Sequence, residues 1–295
     1  MGYARLARPA NLPTAAADIL TGVAIAGVFT PPIQGGFLQS VPGLDILFLV
    51  LASILLYAGG VILNDVFDYR IDVVERPERP IPSGLVPIRT AAIYGSTVLF
   101  IGIVFAFLVH AISGWVAIAL AAAIVLYDAI AKKHGFFGPL CMGVCRGLNL
   151  ILGLSILGVL QYWWMAAIPI VYIFAITLIS RGEVHGENKS HIVLAGVLYT
   201  TVILTVLSVT YVYSENLLVP SLFLTLFAVL VFRPLLKAHS ENSPQHIKKA
   251  VMAGVLSLVV LDASIAVSFS TWWYGLLVLL LLPLSKALSK MFAVT

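Results

Sequence analysis

Ten stretches of this chain are apolar on every face of a helix, at about 14–33, 44–64, 88–111, 114–130, 137–159, 163–182, 192–213, 217–236, 247–269 and 271–289. Each runs roughly 17–24 residues, close to the ~20 that a helix rising 1.5 Å per residue needs to cross the hydrocarbon core of a bilayer. None alternates apolar and polar positions with period two, so helices fit the pattern and a barrel does not. The pattern predicts an all-α, polytopic transmembrane helical bundle, with residues 1–295 forming a single domain. The break between the last two stretches, "SFSTWWYG", is shallow, so nine or ten helices fit.

The basic residues give this division an independent check. Arg5 and Arg8 precede the first stretch, and Arg70, Arg76, Arg79 and Arg89 follow the second. Lys132 and Lys133 follow the fourth, Arg181 and Lys189 the sixth, Arg233, Lys237, Lys248 and Lys249 the eighth, and Lys286 and Lys290 end the chain. The intervening loops, "PPIQGGFLQSVPG", "HAISG", "GVLQYWW" and "VYSENL", carry no Lys or Arg. All the basic residues except Arg146 therefore fall on one side, which the positive-inside rule assigns to the cytoplasm. The expectation is an integral multi-pass protein of a bacterial-type cytoplasmic membrane, with both termini inside.

Composition agrees. The chain is 61% hydrophobic and 10% charged, whereas soluble domains carry about a quarter charged residues. The net charge of +4 is accounted for by the loop asymmetry, so nucleic acid is not an expected partner. Cys141 and Cys145, four apart in one apolar run, suggest packing rather than a disulfide or a zinc site. The first residues lack an early apolar core with a small-residue cleavage site, so no cleavable signal peptide is expected.

Two inner loops carry most of the polar chemistry. In "GGVILNDVFDYRIDVVERPERPIPSG" (59–84), Asp65, Asp68 and Asp72 are spaced three and four apart. If the helix continues through them they share one face, with Asn64 beside them. Carboxylates that close repel one another unless cations neutralise them. Hard oxygen donors in this arrangement suit Mg²⁺, which bridges carboxylates to substrate phosphates. A solvated helix end with incidental acids is the alternative. The second loop, "ISRGEVHGENKSH" (179–191), places Glu183 and Glu187 one turn apart with Lys189 following. By itself that is a common solvated feature; its weight comes from lying at the same membrane face as the first cluster.

Arg146 is the exception among the basic residues, roughly 12 Å along its helix from Gly138. A charge at such depth costs about 2.5–3.5 kcal/mol at a helix centre, so it calls for a partner or an aqueous cavity. Asn149, one turn on, shares its face, and Gly143 and Gly147 are spaced for close helix approach. Asp128 reads equally as an acceptor-side base or a partner of Lys132. Asp18 is placed near the cavity with Asn11, and Asp262 is read as hydrogen-bonded to a nearby Ser or Thr.

The run Asn64-Asp65-x-x-Asp68-x-x-x-Asp72-x-x-x-Arg76-Pro77-x-Arg79-Pro80-x-x-Ser83-Gly84 resembles the signature of the UbiA superfamily of intramembrane prenyltransferases, in the manner of 4-hydroxybenzoate polyprenyltransferases. "RPANLPTAAADILTG" resembles that family's N-terminal segment, Tyr127 with Lys132 its motif after the fourth helix, and "RGLNLILG" its fifth-helix pattern. The resemblance covers most of residues 5–190. It implies about nine helices around a central cavity with cytoplasmic caps, and transfer of a prenyl group from a prenyl diphosphate to an acceptor with Mg²⁺. On that reading Asp65, Asp68, Asp72, Glu183 and Glu187 are the catalytic metal ligands. Asn64, Arg76, Arg79, Tyr127, Lys132, Arg146, Asn149 and Lys189 contact substrate, and membrane lipid surrounds the prenyl chain. The departure is in the second motif, where Ser180 replaces an acid and glutamates replace the other two. A lipid- or isoprenoid-binding carrier without transfer chemistry is therefore the competing reading, and hydrolysis or cyclisation of a prenyl chain a third. Polar clusters at helix ends on one face disfavour a transporter, whose sites lie at the midplane.

Overall fold

The computed structural model describes residues 2–29, 43–183, 186, 188–214 and 216–292. The helices are α1 Gly2–Leu6, α2 Leu12–Ile25, α3 Gly43–Phe67, α4 Tyr69–Glu75, α5 Ile88–Val109, α6 Ala111–Ala129, α7 Phe137–Leu154, α8 Ala167–Ser180, α9 Lys189–Tyr213, α10 Leu218–Ser240, α11 Pro244–Ser268, α12 Trp272–Leu279 and α13 Leu281–Met291. No strand occurs among the described residues. Nine helical segments there are long and apolar enough to cross a membrane, α12 and α13 counting as one. The stretch expected at 14–33 is helical over Leu12–Ile25, and its later part lies outside the described residues. The shallow break at 268–275 does separate two helices: Thr271 takes an extended conformation ahead of Trp272. Pro283, lacking an N–H, cannot bond the Leu279 carbonyl, which accounts for the interruption between α12 and α13.

The helices pack as two halves. α2, α3, α5, α6 and α7 enclose a core containing Ile19, Leu49, Leu56, Leu99, Leu120 and Leu152. α8 to α11 enclose a second, around Tyr172, Tyr199, Phe227 and Leu258. α11 is the most enclosed, with 72% of its apolar stretch buried against 28% for α5 and α10. The halves meet where α7 packs on α8 and α2 on α11, and within the first half α2 crosses α7 closely. A Cβ on Gly22 would lie 2.5 Å from the Leu150 carbonyl oxygen, and one on Gly153 2.5 Å from that of Ile19. The backbones touch because neither helix has a side chain there. The spacing of Gly143 and Gly147 works likewise toward α8: a Cβ on Gly143 would meet Ile170 O at 2.5 Å.

The chain direction sorts residues to two ends of the bundle. α3, α6 and α8 run toward one end and α7 and α11 leave from it, so the loops bearing Asp68, Lys132 and Glu183 lie together with Lys248 at the start of α11. All five tryptophans, Trp115, Trp163, Trp164, Trp272 and Trp273, sit exposed near helix starts at the opposite end.

Gly153→Ala is expected to lower stability by about 1–3 kcal/mol, read as a fall in the melting midpoint in detergent. Gly43→Ala, whose Cβ would meet nothing within 4 Å, should shift it by no more than about 0.5 kcal/mol either way.

Candidate functional site

α3 carries its apolar face up to Leu63 and then presents Asn64 and Asp65 at its last turn. The helical path barely stops at Phe67: Asp68 N–H bonds the Asn64 carbonyl and Asp72 N–H the Asp68 carbonyl, both at 2.9 Å. The expected shared face is thus nearly continuous, and Asp65 and Asp72 are 4% and 2% exposed. The loop after α4 folds back over them. Pro77 and Pro80 stiffen it, Gly84 turns it with φ +77°, and Ile81 and Val86 pack on Leu6 and Ile62. That anchoring puts Arg79 Nη1 2.6 Å from Asp72 Oδ2 and 3.2 Å from Asp65 Oδ1.

Two further cations arrive from other helices. Arg8, held in the left-handed region at φ 43° ahead of α2, brings Nη2 to 2.5 Å from Asp65 Oδ1. Lys132, after α6, brings Nζ to 2.6 Å from Asp68 Oδ1 and 3.9 Å from Asp128 Oδ1. Asn64 Nδ2 donates to Asp128 Oδ1 at 2.6 Å. Four carboxylates therefore face three cations, leaving one negative charge in excess before Glu183 is counted.

Below this cap lies a cavity of about 400 Å³. Arg8, Asn64, Tyr127, Asp128, Arg146 and Asn149 supply its polar wall; Leu120, Ile124, Ile173, Ile176, Val251 and Leu258 supply apolar wall. Ser180, standing where the second motif lacks its first acid, also lines it. Asn64 of the first motif and Ser180 of the second thus line one hollow, while Asp65, Asp68, Asp72 and Glu183 stand outside its lining. Arg146 is 9% exposed, with Nε 2.7 Å from Asp18 Oδ2 and Nη2 donating to the Thr14 carbonyl. Asn149 Nδ2 donates to Asp18 Oδ2 at 2.8 Å and to Ala15 O at 3.0 Å, and Asn149 Oδ1 accepts from Ser53 Oγ at 2.7 Å.

The expected residues divide accordingly. Asn64, Tyr127, Arg146 and Asn149 line the cavity; Asp65, Asp68, Asp72, Arg79 and Lys132 form the cap above it. Glu183 lies half-buried beyond Ser180, within electrostatic reach of Lys248 and Arg76. Lys189 is exposed at the start of α9, and Glu187 lies outside the described residues. One expectation is refined and one is corrected. Asp18 does not line the cavity but sits behind it, paired with Arg146. The Asp262 carboxyl meets Asp18 rather than a hydroxyl; Thr21 Oγ1 bonds its backbone carbonyl instead, at 3.1 Å. Arg8 and Lys248 were read only as loop charges. The Arg8-Pro9 pair ahead of the first span was the one local signal for Arg8.

The donor set is compatible with magnesium. Among the described residues no three acid, His or Cys groups converge into a closed cage. Mg²⁺ does not need one, since it keeps waters and is held by one or two carboxylates together with substrate phosphates. Protein cations already stand against Asp65, Asp68 and Asp72, which shows that these oxygens accept positive charge in this position.

A helical membrane bundle with an acid-rich cap over a mixed polar and apolar cavity is the class of protein defined so far. Residues 19–253 match the model of the UbiA prenyltransferase family, and the chain belongs to that family. It is 30% identical over 166 residues to the digeranylgeranylglyceryl phosphate synthase of Methanosarcina mazei, 56% of this chain and 55% of that one, so it spans about half the length of that relative. The same synthase of Sulfurisphaera tokodaii is 28% identical over 280 residues, covering 88% of this chain and 96% of the relative. A UbiA homologue from Archaeoglobus fulgidus bound to GPP and Mg2+ superposes with a TM-score of 0.62 at 14% identity, over 90% of this chain and 99% of that one, a likeness of fold.

Burial pushes the Glu183 carboxyl above its usual range, opposed by Lys248 and Arg76. The folded state thus holds this proton more tightly than the unfolded chain. The resulting stabilisation is full below the ordinary glutamate pKa and is lost as pH rises through the raised value. Glu183→Gln should match wild type in melting midpoint at low pH and exceed it increasingly as pH rises, followed by thermal melts in detergent across mildly acidic to neutral buffers.

Proposed function

We propose that this chain transfers a prenyl group from a prenyl diphosphate to the hydroxyl of a glyceryl phosphate lipid, with magnesium accompanying the diphosphate. The observation that carries the reading is one cavity lined by Asn64 of the first motif and Ser180 of the second, with mixed polar and apolar walls and the Asp65, Asp68 and Asp72 ion pairs beside it. The acceptor class follows the product named for the relatives from Methanosarcina mazei and Sulfurisphaera tokodaii.

Asp65, Asp68, Asp72, Glu183 and Glu187 would hold magnesium, which when bound supplies Lewis-acid charge against the leaving diphosphate. Arg8, Arg76, Arg79, Lys132 and Lys189 add basic groups at the same end. Lys132 lies between Asp68 and Asp128, where it can follow negative charge as it builds on the leaving group. Leu120, Ile124, Ile173 and Ile176 keep water from the allylic carbon, and the Tyr127 ring faces the same space. As the C1–O bond to diphosphate breaks, its electron pair leaves on the diphosphate. The acceptor oxygen forms the new bond to C1 and its proton passes to Asp128, held in place by Asn64. Arg146 and Asn149 are the groups placed to bind the acceptor's anionic end. The basic residues at the cap end support a cap facing the cytoplasm.

The test is release of diphosphate from geranylgeranyl diphosphate by purified protein in detergent, with and without Mg²⁺ and a monoprenylated glyceryl phosphate. Release should require both, and Asp68→Ala should reduce kcat by about a hundredfold or more. Equal binding of the diphosphate by wild type and Asp68→Ala would remove the first motif from the site. Tight binding with no product from a broad acceptor panel would favour the carrier reading.

Asp128→Asn is expected to lower kcat by about 10²–10⁴-fold while leaving the KM for geranylgeranyl diphosphate nearly unchanged. A loss expressed in that KM alone would return Asp128 to the role of a partner for Lys132.

A further inference from the structure

Asp18 on α2 and Asp262 on α11 come together behind the cavity wall, from positions far apart in the chain. Asp18 is fully enclosed and Asp262 is 2% exposed, and the two carboxyls lie within hydrogen-bonding reach of each other. One oxygen of each, Asp18 Oδ1 and Asp262 Oδ2, has no donor among the described residues. The other Asp18 oxygen is fully used, taking Arg146 Nε at 2.7 Å and Asn149 Nδ2 at 2.8 Å.

No hydroxyl donates to either orphan oxygen among the described residues, and three on α2, α11 and α12 are committed elsewhere. Thr21 Oγ1 bonds the Asp262 backbone carbonyl at 3.1 Å, Tyr274 OH the Leu20 carbonyl at 2.8 Å, and Ser264 Oγ the Pro220 carbonyl at 3.2 Å. Arg146 is the one cation within ion-pairing distance of either acid among the described residues. Two ionised carboxylates would then share a single guanidinium inside an apolar bundle, with a net negative charge and two unpaired acceptors. Like charges that close cannot both stay ionised. A single proton removes the excess charge and gives both orphan oxygens a partner. It belongs on Asp262, because Asp18 alone has the guanidinium and the amide to stabilise its charge.

We propose that Asp18 and Asp262 share one proton, carried by Asp262, and that the pair is a positioning device that joins α2 to α11 and fixes the Arg146 side chain at the cavity wall. Neither carboxyl reaches the cavity, so both are positioning residues acting through Arg146. Asn149, bonded to the same Asp18 oxygen and to Ser53 on α3, is set by the same anchor. The consequence for acceptor binding rests on the function proposed above; the shared proton does not.

The first measurement therefore needs no acceptor. Infrared spectra of the full chain in detergent at neutral pH should contain a protonated-carboxyl C=O band. That band should disappear in Asp262→Asn and persist, shifted, in Asp18→Asn. Absence of the band in wild type, or its survival in Asp262→Asn, would overturn the assignment.

The second measurement is kinetic. Asp262→Asn keeps a donor facing Asp18 and should hold the KM for a monoprenylated glyceryl phosphate within about threefold of wild type. Asp262→Leu removes that donor and should raise this KM about tenfold or more, with the KM for geranylgeranyl diphosphate changed less than about twofold. If Asp262→Asn behaves as Asp262→Leu, or if both KM values move together, the positioning role is wrong. Should Asp262→Leu fail to fold, the amide variant and the infrared band decide the matter. A wild type that uses no glyceryl phosphate acceptor, yet shows the band, overturns the acceptor reading and leaves the shared proton standing.

Discussion

Burying a carboxylate in an apolar helix bundle requires a positive charge or a proton beside it, and here each such partner comes from a different part of the chain. Asp65 takes Arg8 and Arg79, Asp68 takes Lys132, and Asp18 takes Arg146. An isolated buried charge costs several kcal/mol even after relaxation, whereas a paired one with further hydrogen bonds is tolerated. The bundle is organised around this constraint. The N-terminal segment, the loop after α4 and the loop after α6 converge because their charges complete one another over the mouth of a single hollow.

The same pairing gives the cap its chemical character. Arg8, Arg79 and Lys132 neutralise the acids, and each of these cations is partly accessible, at 29%, 19% and 16% of its side chain. On the proposed function a magnesium-bearing diphosphate would bring both signs of charge, so carboxylates and basic groups could exchange partners without leaving either uncompensated. Deeper in the cavity the balance changes. Arg146 and Asn149 are held by Asp18, Ser53 and backbone carbonyls, which favours a rigid polar site over a mobile one. On the same proposal the apolar wall formed by Leu120, Ile124, Ile173 and Ile176 is where a prenyl chain would lie, kept apart from water.

The first acidic motif was legible because its spacing, three and four residues at the end of an apolar run, is a local property that α3 and α4 simply realise. The second was weaker, with Ser180 in place of an acid, and its relevance emerges through the cavity that Ser180 lines. Arg8 was hidden among loop cations because nothing near it in sequence shows that its guanidinium reaches Asp65, 57 positions away. Asp262 was misread for the same reason. Ser257 and Ser264 flank it in sequence, but its partner in space is on α2.

Hydropathy and the placement of basic residues determined the helical class, the spans, and the end of the bundle that carries the chemistry, since these depend on each segment's exchange with lipid and water. Tertiary structure alone decided which cation meets which acid, which of the expected residues reach the cavity, and that two distant aspartates confront each other. Those outcomes depend on close crossings such as Gly22 on Leu150, where a carbonyl approaches to 2.5 Å of the missing Cβ, and no local periodicity encodes a contact between helices.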